Sequence, residues 1–207
     1  MPENLHKLFV ISSPSGGGKT SLINKVFEDS RSANFEKSIS DTSRQKRQGD
    51  LEGKDYYFLS EKDFKEKIKK EEYVEYATVF GNFYGTSKNE IKTKYNNSNL
   101  VLELDWQGAY AVKKLFDDAK LIFLVPPSLD DLKQRLIKRN LDSSESIENR
   151  LSEAKKEISK SEMYDFLVLN DDFDRAFKDL SQILFKGISS KDFNSRVSKD
   201  LIERLVE

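Results

Sequence analysis

The chain has 207 residues, 37% of them hydrophobic and 34% charged, with a formal net charge of −1. That is long enough for one compact α/β domain with a real core, and the charge balance gives no overall pull toward nucleic acid or an anionic membrane, so anion binding must come from local clusters. The lack of cysteine excludes disulfides, thiolate metal sites and a cysteine nucleophile, and a single histidine, His6, excludes histidine triads and multi-histidine metal centres.

Residues 1–7 do not have the shape of a signal peptide, and no apolar run approaches the ~18 residues of a spanning helix, so the expected location is the cytoplasm. The apolar run 8–11 reads as a buried strand. It breaks into Ser13-Pro14-Ser15-Gly16-Gly17-Gly18-Lys19-Thr20, and Lys19 opens an amphipathic helix to about residue 27. Strand, glycine loop and helix start together form the setting of a phosphate-binding loop. The glycines let backbone N–H groups curl around an anion, and the helix start adds unpaired N–H groups and a positive dipole end. Lys19 is placed to reach β/γ-phosphates and the Thr20 hydroxyl to ligate Mg²⁺. The pattern G-x-x-x-x-G-K-[ST] is met except that Ser13 stands at its first glycine.

Past a polar turn at 28–34 and a short segment at 35–40, residues 40–58 combine little apolar periodicity with Arg44, Arg47, Gly49, Gly53 and Tyr56. Such a loop is either solvated or phosphate-binding. Residues 61–70 read as a helix capped by Ser60, 73–80 as a strand, 81–86 as a turn-rich segment, and 88–95 as a helix capped by Ser87. Residues 35–96 thus interrupt the βα rhythm as an inserted mixed subdomain. The rhythm resumes with a strand at 100–104, a helix at 109–116, a strand at 120–125 stopped by Pro126-Pro127, and a helix capped by Ser128. A charged helix over 145–161, a strand at 165–169 and helices after Asp172 and at the C-terminus complete the chain. Alternating strands and helices predict a parallel sheet covered on both faces.

A phosphate loop fits a GTPase, an ATPase motor or a small-molecule kinase. Asp105-x-x-Gly108 resembles a GTPase switch element, but no Asn/Thr-Lys-x-Asp base-reading motif exists in the chain. Asp105 reads as a Walker-B carboxylate near Mg²⁺, as the N-cap of the next helix, or as both. A kinase whose acceptor is itself a phosphate explains the arginines, because two anions must be brought into contact. Arg44 and Arg47 suit a bidentate clamp on the acceptor. Arg135, Arg139 and Arg150 suit a closing lid that brings positive charge to the migrating group, or else a solvated helix face. No base is needed, since a phosphate oxygen is already a nucleophile.

Ser13–Thr20, Ser40-x-Thr42-Ser43-Arg44-x-x-Arg47-x-Gly49, Gly53-x-x-Tyr56-x-Phe58, Glu75-Tyr-Ala77, Gly81-Asn-Phe-Tyr84-Gly85-Thr86, Asp105-Trp-Gln-Gly108, Pro126-Pro127-Ser128, Arg135-Leu-x-x-Arg139 and Val168-Leu-Asn170-Asp-Asp172 together resemble guanylate kinase of the bacterial type, over nearly the whole chain. The resemblance implies an α/β P-loop nucleoside-monophosphate-kinase fold with a core (1–34, 97–134, 162–207), a GMP-binding subdomain (35–96) and a helical lid (135–161). It implies transfer from MgATP to GMP, giving ADP and GDP, with no nucleic-acid or membrane partner and a monomeric or homodimeric state. Residue by residue, it assigns the ATP phosphates to Ser13, Pro14, Ser15, Gly16, Gly17, Gly18, Lys19 and Thr20, with Arg135 and Arg139 over them and Asn170 near the ATP base. It assigns the GMP phosphate to Arg44, Arg47, Tyr56 and Tyr84, and the guanine to Ser40, Glu75 and Thr86 with Asp105 nearby. Lys19, Arg44, Arg135 and Arg150 are the expected catalytic groups, and Thr20 and Asp105 (directly or through water) the expected metal-side groups. Independently of the resemblance, one carboxylate such as Glu75 can accept from both N1–H and the N2 amino group of guanine, a pair that adenine lacks. Three positions depart from the family pattern: Ser43 for a threonine, Asn140 for a lid glycine, and Glu103 for the first Walker-B aspartate. The extra methylene of Glu103 makes Asp105 the preferred metal-side carboxylate at this level. A scaffold-type guanylate-kinase-like interaction module is the rival reading, disfavoured by the intact Gly-Lys-Thr and the absence of room for appended modules.

Overall fold

The computed structural model describes residues 6–47, 49–79, 81–138 and 144–207. Its centre is a wholly parallel five-stranded sheet in the order β2 (Phe35–Lys37), β7 (Asn99–Glu103), β1 (Leu8–Ser12), β8 (Lys120–Val125) and β9 (Phe166–Leu169). All five residues of β1 are buried, as a strand covered on both faces requires. On one face Phe9, Ile11, Val101, Ile122 and Val168 pack against Leu22, Ile23 and Val26 of α1 (Lys19–Glu28) and Leu180, Ile183 and Leu184 of α7 (Phe173–Leu184). On the other, Leu8, Val10, Leu100, Leu102, Leu121 and Phe123 pack against residues of α3 (Lys88–Tyr95), α4 (Trp106–Leu115), α6 (Ser144–Ile158) and α8 (Lys199–Val206). The expected doubly covered parallel sheet is therefore present. Among the described residues, no helix is long and apolar enough to cross a membrane.

A second, four-stranded sheet runs in the order β4 (Tyr57–Phe58), β3 (Asp41–Thr42), β6 (Asn82–Ser87), β5 (Tyr73–Val79), with α2 (Glu61–Lys69) beside it. One expectation needs correction here. The segment 81–86, rich in turn-formers, is mostly strand: β6 pairs antiparallel with β5 from Val79↔Asn82 to Tyr73↔Ser87. Its Gly85 is there for closeness rather than for a turn, because a Cβ would lie 3.0 Å from the Glu75 carbonyl and from the Phe64 and Tyr73 rings. Residues 35–37 form the edge strand of the central sheet, and α3 buries Ile91 and Tyr95 in the central core. The inserted sheet itself spans residues 41–87.

The predicted caps recur: the side chains of Ser60, Ser87 and Ser128 accept from Asp63, Glu90 and Asp131 N–H groups, and α5 (Leu129–Lys138) follows the last. α4 starts three residues earlier than periodicity suggests, because Asp105 caps it. The C-terminal segment is packed, with the Arg196 guanidinium donating to Asp171, Asp179 and the Leu169 carbonyl.

Phe64 anchors the second sheet. It is fully buried and stacked between Tyr73, at 4.5 Å between ring centroids, and Phe83, at 5.3 Å. Phe64→Ala should lower the unfolding free energy by about 3–5 kcal/mol, the usual range for an emptied core aromatic site. Urea denaturation measures it, and a loss below about 1 kcal/mol would mean that the rings are not what ties α2 to the sheet.

Candidate active site

The glycine loop joins β1 to α1, and its shape explains its residues. Gly16 and Gly18 have φ of 83° and 86°, in the left-handed region that side chains disfavour. A Cβ on Gly17 would meet the Pro14 carbonyl at 2.8 Å and the Ser13 Cβ at 2.9 Å. Ser13 therefore fits where the motif has glycine because Gly17 leaves the room, and its hydroxyl turns to the Pro14 carbonyl at 3.1 Å. Gly17 N–H donates to the same carbonyl, and no side chain caps α1, so its first N–H groups stay available to an anion.

Lys19 Nζ donates to the Leu104 carbonyl at 3.1 Å. Burial pulls its pKa below the ordinary lysine value against the opposing attraction of Glu103, Glu157 and Asp105. The Thr20 hydroxyl donates to Oε1 of Glu103 at 2.6 Å, and Oε2 of that carboxylate pairs with Lys37 Nζ at 2.9 Å. Burial would raise the Glu103 pKa, but Lys19, Lys37 and the Thr20 hydrogen bond outweigh it and hold it below the usual range. Asp105, preferred at the sequence level, is here the helix cap, its Oδ1 accepting from Gly108 N–H at 2.8 Å. The carboxylate brought onto Thr20 is that of Glu103. Lys19, Lys37, Ser38, Ser40, Asp55, Tyr56 and Glu103 wall a cavity of about 180 Å³.

Tyr56 of the inserted region lines that cavity. Arg44 lies over the Tyr56 ring at 5.4 Å and the Phe58 ring at 5.5 Å, and pairs with Asp50 at 2.9 Å. Tyr56 meets Tyr84 edge to face at 5.7 Å. Arg47 is exposed, while its backbone N–H donates to Asp50 at 2.7 Å. Glu75 is paired in register with Thr86 across β5 and β6, and Thr86 Oγ1 is 3.4 Å from Ser40 Oγ. A Cβ on Gly108 would lie 3.2 Å from Glu75 Cγ, so α4 closes over this carboxylate. Burial, with a contribution from Asp105, pushes the Glu75 pKa up to about 7 against hydrogen bonds to Thr86 that lower it. The three predicted guanine contacts, Ser40, Glu75 and Thr86, are thus gathered.

On the donor side, Arg135 donates to the Asn170 carbonyl at 3.0 Å, and buried Asn170 Nδ2 donates to the Gly17 carbonyl at 2.6 Å. Asn170, expected near a nucleotide base, is in this conformation a strut under the glycine loop. Arg150 of α6 reaches Ser15 Oγ at 3.4 Å. Arg139 lies outside the described residues. The sequence motifs missed Lys37, Asp50 and Glu157. Glu157, at the end of α6, is pushed up to about 7 by burial, against the pull of Lys19, and its Oε2 has no hydrogen-bond partner among the described residues. A lone glutamate in a charged helix gives no signal that it faces inward.

The profile of the family described as guanylate kinase matches residues 5–187. A guanylate kinase of Wolbachia sp. subsp. Brugia malayi (strain TRS) is 44% identical over 186 residues, which are 89% of this chain and 94% of that one. The guanylate kinase of Haemophilus influenzae (strain 86-028NP) is 41% identical over 201 residues, 96% and 97% of the two chains. The crystal structure of guanylate kinase from Anaplasma phagocytophilum superposes with a TM-score of 0.71 at 32% identity, covering 97% of this chain and 95% of that one. A family profile spanning most of the chain, with relatives this similar over nearly their full length, places the chain in the guanylate kinase family.

Proposed function

We infer that this chain transfers the γ-phosphoryl group of ATP to GMP, giving ADP and GDP. The observation that carries the reading is a shared cavity. Lys19 of the glycine loop, Ser40 and Tyr56 all line it, and Arg44 is stacked on Tyr56. A donor phosphate site and an acceptor phosphate clamp thus open on one space.

In this reading the GMP phosphate is held by Arg44, Arg47, Tyr56 and Tyr84, and the guanine by Glu75, Ser40 and Thr86, with Asp105 close by. The acceptor oxygen attacks the γ-phosphorus in line. The new P–O bond forms as the bond to the β,γ-bridging oxygen breaks, and ADP departs with that electron pair. In the same reading Lys19, Arg135 and Arg150 supply positive charge to the migrating phosphoryl group, and Arg139 belongs to the same lid by sequence. Such fixed charges lower the barrier because they need no reorganisation when the reaction occurs. Lid closure over the cavity excludes water, which would otherwise compete with GMP as acceptor.

The donor set near Thr20 fits Mg²⁺. Thr20 and Glu103 present hard oxygens, with Asp105 at the same strand end, and neither imidazole nor thiolate is near. Among the described residues no group of three or more potential metal-ligating His, Cys, Asp or Glu residues is assembled. That suits an ion which keeps waters and takes further ligands from phosphates. When bound beside Thr20 and Glu103, Mg²⁺ would supply positive charge that offsets the charge of the donor phosphates. We assign the acceptor subdomain to residues 35–96 and, by sequence, the lid to residues 135–161.

A coupled assay supplying ATP with GMP, AMP, dTMP or CMP tests the reading. ADP formation is expected with GMP and at far lower rates with the others. Absence of turnover with every monophosphate would leave the interaction-module reading in its place, and preferred turnover of AMP would overturn the role given to Glu75.

A further inference from the structure

Lys37 belongs to none of the sequence motifs. It ends β2 and stands opposite Val101 in the parallel ladder with β7. Glu103, two residues further along β7, projects from the same face as Val101, because side chains alternate along a strand. The lysine side chain need only follow the sheet edge to reach Glu103. The pair is partly sheltered, with side-chain exposures of 33% for Lys37 and 19% for Glu103. Both residues wall the cavity that also contains Lys19. One carboxylate therefore spans two groups of different kinds, the Thr20 hydroxyl at 2.6 Å and the Lys37 ammonium at 2.9 Å.

We propose that Lys37 is a resident counter-ion at the divalent-cation site: it pairs with Glu103 in the nucleotide-free protein, and it is the positive charge that an arriving cation must displace. The proposal rests on the reading that Thr20 and Glu103 face the cation of the bound nucleotide. A consequence follows from elementary electrostatics. A dication placed against the same carboxylate is repelled by the Lys37 ammonium a few ångströms away. It should therefore bind about tenfold more weakly than beside a neutral side chain of similar volume.

The test measures Mn²⁺ binding to the complex with ADP, protein in excess of nucleotide, by the loss of the free-ion paramagnetic resonance signal. Turnover does not enter the readout. Lys37→Met should bind Mn²⁺ about tenfold more tightly than the parent, because the repelling charge is gone. Lys37→Arg, which keeps the charge, should stay close to the parent. Glu103→Gln should bind Mn²⁺ more weakly. Damage to the fold weakens metal binding and cannot imitate the gain expected of Lys37→Met. Unchanged or weaker binding in Lys37→Met, with Glu103→Gln weakened, overturns the role of Lys37 alone. Unchanged binding in Glu103→Gln overturns the metal reading beneath it, and the proposal with it.

Discussion

Lys19→Ala is expected to lower kcat for phosphoryl transfer about 10³-fold, the cost of removing a preorganised charge from a water-excluded site, while GMP binding persists. The two effects separate because Lys19 opens α1 on the donor side, whereas most of the residues assigned to GMP sit in the second sheet and its loops. The side chain lines the cavity, and its ammonium donates to the Leu104 carbonyl at 3.1 Å. The substitution also removes the cation shared by Glu103, Asp105 and Glu157. That loss need not unfold the protein. The Glu157 pKa, already raised to about 7, can rise further, and the carboxyl takes up a proton instead of remaining a buried charge. Calorimetric GMP binding close to that of the parent, together with an intact unfolding transition, would show that the lost rate is chemical. A near-normal kcat would remove the glycine loop from the mechanism.

The glycine loop was legible in the sequence because its physics is local: three glycines, a lysine and a hydroxyl act within one turn of chain. The strand at 120–125 was legible for a similar reason, an apolar run closed by two prolines. What sequence could not order were decisions made by register. Aspartate was preferred over Glu103 on side-chain length, yet the parallel ladder sets Glu103 opposite Ile11, at the end of β1 from which the glycine loop departs toward Thr20. Asp105, two residues on, has already turned to cap α4. Lys37 was invisible because its partner lies in a strand far away in sequence. The strand β6 was hidden by its own glycine and asparagine, whose turn preference is overridden once β5 supplies a full antiparallel partner. Glu157 faces inward only because α6 docks beside the glycine loop, where Arg150 reaches Ser15.

Glu75→Gln should cost about 10²–10³-fold in kcat/KM for GMP, because two hydrogen bonds to a charged acceptor are replaced by one neutral bond and one donor-against-donor contact. The environment of Glu75 adds a pH dependence with a definite sign. Its pKa in the folded protein is raised from 4.5 to about 7, chiefly by burial. For stability, a group raised in this way makes its full contribution below its unfolded value, and that contribution is lost as pH rises through 7. Above pH 7 the empty site therefore holds a carboxylate that costs the fold free energy, and Glu75→Gln should be at least as stable as the parent there. For binding, guanine donates two hydrogens and so requires the ionised form. Below pH 7 GMP must drive a proton off Glu75, and its apparent affinity should fall about tenfold per pH unit. The GMP phosphate titrates nearby, so the guanine part is isolated by comparison: the parent should lose affinity more steeply than Glu75→Gln, which retains only the phosphate's dependence. Calorimetry in buffers of different ionisation enthalpy should find a proton released on GMP binding at pH 6 by the parent and a smaller release by the variant. Equal slopes in the two proteins would mean that Glu75 is not the group that reads guanine. A steeper slope in the parent would tie base selectivity to the same burial that weakens the empty fold.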